Sequence, residues 1–120
     1  MGQAVIEFDL PYPPSVNHYY RRVGLRTLIS REGRRYRDRV CAILAGRGLR
    51  PMAGPVEVVI DIYPPDRRRR DLDNTQKSLF DSIQHAGVYG DDSQIAKITI
   101  TRRDPVPGGR VSMAISEYRG

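Results

Sequence analysis

The sequence predicts an α+β domain: a mixed β-sheet of about four strands and two main helices, in the order strand, helix, strand, helix, strand, strand (βαβαββ). Three observations lead there. Residues 56–63 form a β-branched run closed by Pro64 and Pro65. Segments 31–45 and 74–86 repeat apolar residues at helical spacing. Segments 4–10 and 95–103 alternate apolar with polar positions, as half-buried strands do.

The first strand is expected over Ala4 to Leu10. Ala4, Ile6, Phe8 and Leu10 fall on one face and Val5, Glu7 and Asp9 on the other. Pro11, Pro13 and Pro14 stop it. The stretch SVNHYYRRVGLRT reads as a polar, aromatic and basic loop. Ser30 then serves as an N-cap, with Glu32 adding acid to the first turn. From Arg31 to Ala45, Tyr36, Val40, Ile43 and Leu44 form the inner stripe, and Arg34, Arg35, Arg37 and Arg39 the outer face. Gly46 and Gly48 end that helix. After the central strand, a helix runs from about Asn74 to Ala86 with Leu79, Phe80, Ile83 and Ala86 inward and Gly87 as its stop. The turn YGDD follows, then a strand from Ile95 to Arg103. Pro105 to Gly109 is expected to turn the chain into a last strand, Arg110 to Glu117, as a hairpin between neighbours.

A length of 120 residues suits one domain, 1–120, with one modest core. The formal net charge is +6, and of the 20 basic residues only Lys77 and Lys97 are lysines. Arginine forks onto phosphate oxygens bidentately, so this balance favours a nucleic-acid partner. A genome that encodes arginine where others encode lysine would produce part of the same excess. The single cysteine, Cys41, excludes an internal disulfide and a thiolate zinc site; its place on the inner face of a helix marks it as a small core residue. No stretch approaches transmembrane length, and the N-terminus lacks a basic start followed by a long apolar run. The chain reads as soluble and cytoplasmic, with no membrane partner.

The residues that carry chemistry lie in PPDRRRRDLDNTQKSLFDSI. Arg67, Arg68, Arg69 and Arg70 run directly into Asp71 and Asp73, which flank the apolar Leu72. In an extended segment, positions i and i+2 point the same way, so both carboxylates would face one spot while Leu72 anchors the backbone. Asp73 would otherwise simply cap the helix. Lys77 lies four residues on, placed either for a surface ion pair or beside a scissile phosphate. Asp91 and Asp92 follow in the YGDD turn, where aspartate is common. A carboxylate from that turn, returning toward the sheet, would complete the all-oxygen shell that magnesium or manganese prefers. His18 and His85 are too few for a histidine-rich metal site, and no Walker-type loop is present. Tyr19, Tyr20, Arg21 and Arg22 mix aromatics with cations, which suits either base stacking with phosphate contacts or packing under the proline-rich loop.

These motifs together resemble the RusA-type Holliday junction resolvases. The likeness spans nearly the whole chain: LPYPPSVNHYYR, the helix with YRDRV, the PPDRRRRDLDN string, GVYGDDSQI and a closing PGGR. The resemblance implies a homodimer with one magnesium-dependent active site per subunit, nicking four-way DNA symmetrically to leave 5′-phosphates. It places the essential acids at Asp71, Asp73 and Asp92, the lysine at Lys77 and the basic arm at Arg67 to Arg70. Asp91, first of the acidic pair, carries no fixed role. Two other readings use the same residues. One is a basic module that binds branched DNA without cutting; the other is a metal nuclease with no junction preference. In all three, affinity falls steeply as salt rises.

Overall fold

The strand β4 (Val56–Tyr63) is the centre of the sheet, and its composition explains why. Val56, Val58 and Ile60 are fully buried and Ile62 nearly so, each contributing about 1.5–3 kcal/mol of burial relative to exposure. The computed structural model describes residues 5–120. Ala4, expected in the first strand, lies outside the described residues. The order of elements is β1 (Val5–Leu10), α1 (Val16–Tyr19), β2 (Tyr20–Val23), β3 (Arg26–Ile29), α2 (Arg31–Ala45), β4, α3 (Gln76–His85), β5 (Ile95–Arg102) and β6 (Arg110–Glu117). Short 3₁₀ turns at Leu72–Thr75 and Asp92–Gln94 precede α3 and β5.

The main sheet has the order β1-β6-β4-β5 and is mixed. β6 pairs antiparallel with both β1 and β4, and β5 pairs parallel with β4. A parallel pair needs a crossover, and α3 supplies it. Phe8 and Leu10 of β1, Val111, Met113 and Ile115 of β6, and the β4 residues share one buried cluster with Tyr36, Val40 and Leu44 of α2 and Leu79, Phe80 and Ile83 of α3.

Five expectations change. The turn at 105–109 does not join neighbours: β4 lies between β5 and β6. Once β5 has taken one edge of β4, β6 takes the other, so the connection crosses the end of β4. Backbone hydrogen bonds from Arg103 N to Ile62 O (2.7 Å) and from Val106 N to Pro64 O (2.9 Å) mark the crossing. The stretch read as a loop is α1 followed by the β2–β3 hairpin, whose short strands are too irregular in pattern to announce themselves. Ile43 is 42 % exposed, off the α2 stripe, and Cys41 is only partly buried. The helix after the arginines begins as a 3₁₀ turn at Leu72, not as an α-helix at Asn74.

Candidate functional site

Pro64 and Pro65 turn the chain out of β4 and into the arginine run. Asp66 then organises the run. Its carboxylate accepts from the Arg68 backbone N–H (2.9 Å) and from Arg70 Nη1 (2.7 Å). The Arg70 hydrogen bond, reinforced by that backbone donor, holds the Asp66 carboxyl at about 2, below the usual carboxylate range. Arg70 also lies over the ring of Tyr12, 5.9 Å from its centroid. From β5, Arg102 donates to the Arg70 carbonyl oxygen (2.6 Å). Burial raises the Tyr12 phenol, and the nearby Arg70 and Arg102 charges oppose that rise.

The result is an open cleft of about 460 Å³, lined by Arg67 to Arg70, by Arg102 and Arg103, and by Asp71. Arg67, Arg68 and Arg69 are exposed. Arg68 stays near Asp66 (3.5 Å), while among the described residues Arg67 and Arg69 pair with no carboxylate. Arg70 is therefore a structural member of the run, tied to Asp66. Arg102 and Arg103 are cations that sequence reasoning missed. The signal was present in TRRDP before the last turn, but only the crossing over the end of β4 brings it to the cleft.

Asp71 has extended backbone (φ −83°, ψ 140°) and opens onto the cleft wall. Asp73 sits inside the 3₁₀ turn that follows. Strand alternation therefore does not align the two carboxylates, as a fully extended segment would. Leu72 does anchor the turn, packing against the core as expected. Thr75 donates its hydroxyl to the Leu72 carbonyl (3.2 Å), and Ser78 reaches the Pro14 carbonyl (3.0 Å), fastening the proline-rich loop to the head of α3. Asp73 and Lys77 are both exposed, and among the described residues Lys77 forms no ion pair.

Asp92 is held elsewhere. The buried Tyr89 hydroxyl lies between the Phe80 carbonyl (3.1 Å) and Asp92 Oδ1 (2.9 Å). Burial, with the Asp92 hydrogen bond second, raises the Tyr89 phenol far above its ordinary range. The charges of Asp92 and Asp81 both reach Tyr20, which is partly exposed. Asp91 serves its turn: its carboxylate accepts from the Ser93 hydroxyl, and its N–H donates to Gln94 Oε1 (3.0 Å). Among the described residues, no three histidine, cysteine, aspartate or glutamate side chains lie close enough together to hold a metal. The carboxylates of Asp71, Asp73 and Asp92 have the right chemistry for a hard divalent cation.

Tyr19 requires correction. It has no exposed surface, so it cannot stack on a base. Its hydroxyl bonds Asp81, and Ser82 lies at 3.3 Å. As the last residue of α1 it packs into the hydrophobic core against α3, the packing alternative over base stacking. Arg21 and Arg22 are exposed on β2.

The fold and its arginine cleft can be set beside known proteins. The family model for "Endodeoxyribonuclease RusA" matches residues 11–116. The chain belongs to the RusA family. Its RusA relatives include the crossover junction endodeoxyribonuclease of Enterobacteria phage 82, 46 % identical over 90 % of this chain and 91 % of that protein. The RusA proteins of Escherichia coli K12 and Shigella sonnei Ss046 are 44 % and 45 % identical over the same shares. Among the described residues of this RusA-family chain, no helix is long and apolar enough to cross a membrane.

Proposed function

We propose that this chain is a structure-selective endodeoxyribonuclease that resolves four-way (Holliday) DNA junctions by paired symmetric nicks. The observation that carries the reading is the arginine cleft with an aspartate in its wall, in a chain 46 % identical to a crossover junction endodeoxyribonuclease. Arg67 and Arg69, free of carboxylate partners, take backbone phosphates bidentately. Arg102 extends that grip from the end of β5, and Arg103 beside it is paired with Asp61 (2.8 Å). The protein acts as a homodimer in the cytoplasm, a two-fold protein matching a junction of approximate two-fold symmetry.

Cutting depends on Asp71, Asp73 and Asp92, with Lys77 supplying positive charge for the developing phosphorane. The family assignment supports dependence on a divalent cation, magnesium or manganese in its place. Asp71, Asp73 and Asp92 would hold that ion, which would polarise a phosphate oxygen and lower the pKa of a bound water. The engagement of Asp92 by the Tyr89 hydroxyl (2.9 Å) favours a second reading, a basic module that binds branched DNA without cutting.

One comparison decides between them. Wild-type protein and Asp73→Asn are each given a labelled synthetic four-way junction, with magnesium and then with chelator. The nuclease reading expects cleavage only by wild type and only with the ion, a loss of more than about a hundredfold in the variant, and junction binding by both. Normal cutting by Asp73→Asn would remove that residue from the site. Binding without cutting by wild type would establish the non-catalytic module.

A further inference from the structure

We propose that the β2–β3 hairpin is a wedge for branched DNA, with Leu25 at its tip entering the base stack where the arms meet. The inference rests on the junction reading above and adds the feature that selects a branch point over linear duplex.

The hairpin has two unlike faces. Tyr20 pairs with Ile29, and both pack against the hydrophobic core. On the opposite face, the cross-strand pairs Arg21–Leu28 and Val23–Arg26 point away from the body and are exposed. The turn at Gly24 and Leu25 has positive φ only at the glycine (+63°), the type II′ pattern that matches strand twist and leaves the second residue at the apex. Leu25 is 97 % exposed, the most exposed large hydrophobic side chain among the described residues. Val23 and Leu28 behind it are 46 % and 36 % exposed. An apex leucine in water contributes nothing to the core and is open to a partner.

Charge indicates which partner. Leu10 to Arg31 contains no carboxylate, while the hairpin carries Arg21, Arg22 and Arg26. A cationic ribbon around an apolar apex complements a polyanion that has an apolar interior, which is nucleic acid. Proteins that insert an apolar side chain between base steps spend a few kcal/mol unstacking each step in duplex DNA. At a branch point the bases have already lost part of their stacking, so the same insertion costs less there. The wedge thus reads structure and not sequence. The arginines beside it hold the flanking phosphates.

The test places 2-aminopurine next to the branch point of a synthetic four-way junction and compares wild type, Leu25→Ser and Leu25→Met. Wild type should raise the probe's fluorescence on binding. Leu25→Ser should lose that rise and narrow the ratio of junction to linear-duplex affinity about tenfold, with melting temperature unchanged. Leu25→Met should restore both. A serine variant with wild-type fluorescence and affinity ratio would overturn the wedge alone. A serine variant that sediments as monomer where wild type is dimeric would assign Leu25 to a contact between copies, and so overturn it too. A wild-type protein with no preference for the junction would overturn the nuclease reading together with the wedge.

Discussion

The Tyr19 hydroxyl lies against Asp81 and Ser82 of α3, and α2 brings Arg37 to 3.7 Å from the Asp81 carboxylate. Removing that hydroxyl leaves Ser82 buried with one neighbour fewer, while Asp81, partly open to solvent and near Arg37, keeps compensation. Tyr19→Phe should therefore cost about 1–2 kcal/mol, the range for a buried hydrogen bond, measurable as a lower denaturant midpoint. Junction affinity of the folded variant should match wild type, because the ring has no surface to offer a base. A variant that folds with full stability but binds DNA poorly would return Tyr19 to the interface. Asp66 is a contrasting residue. It lies in the run of cations, yet it neutralises only Arg70 and Arg68 and leaves Arg67 and Arg69 for the substrate.

The helix α2 shows how one small residue positions a whole element. Ser30 caps it, accepting from Gly33 N (2.9 Å), and the Ser30 hydroxyl donates to the Tyr19 carbonyl (3.0 Å). The start of α2, α1 and the base of the hairpin therefore meet at one point. A Cβ on Gly33 would clash with the Tyr19 carbonyl oxygen and the Ile29 side chain. Backbone cannot yield as a side-chain tip can. Gly33→Ala should destabilise by about 2 kcal/mol despite alanine's better helix propensity. Thermal melts should show this, and hydrogen exchange should show the opening concentrated in α1, β2 and β3. Alanine tolerated without a shift in melting temperature would mean that α2 is free to move off the hairpin.

Three tyrosines, Tyr19, Tyr36 and Tyr89, tie the whole molecule to a pH range. Burial is the first cause in each, and all three phenols lie above their ordinary value near 10. Above about pH 10 an unfolded chain gives up protons that the folded chain still holds. Stability is thus complete below that pH and falls as pH climbs past it. Tyrosinate absorbance should show these three ionising together with loss of far-UV circular dichroism. Ionisation of all seven tyrosines with the fold intact would contradict their burial. At this scale the charge is also divided. Glu7 and Asp9 share one hollow on the sheet with Asp61, which Arg103 pairs at 2.8 Å, while Arg67 to Arg70 and Arg102 line the cleft at the end of β4. DNA is expected on the arginine side.

Much of this was legible along the chain. The limits of α2, β4 and β6, the Ser30 cap, the inner residues of α3 and the arginine run followed from periodicity, capping and charge, because those signals are set by neighbours within a few residues. The hairpin within residues 20–29, the burial of Tyr19, the 3₁₀ turn between Asp71 and Asp73 and the arrival of Arg102 at the cleft did not. The arrival of Arg102 depends on the β5–β6 connection crossing the end of β4, and the burial of Tyr19 on α3 packing against α1, while the hairpin's short strands and the 3₁₀ turn carry no regular pattern. The sequence by itself determined which residue types were available, a cation-rich chain with aspartates at Asp71, Asp73 and Asp92. Only the tertiary structure decided which of them meet. Sheet order and helix packing put Asp71 among arginines and fastened Asp92 to the Tyr89 hydroxyl.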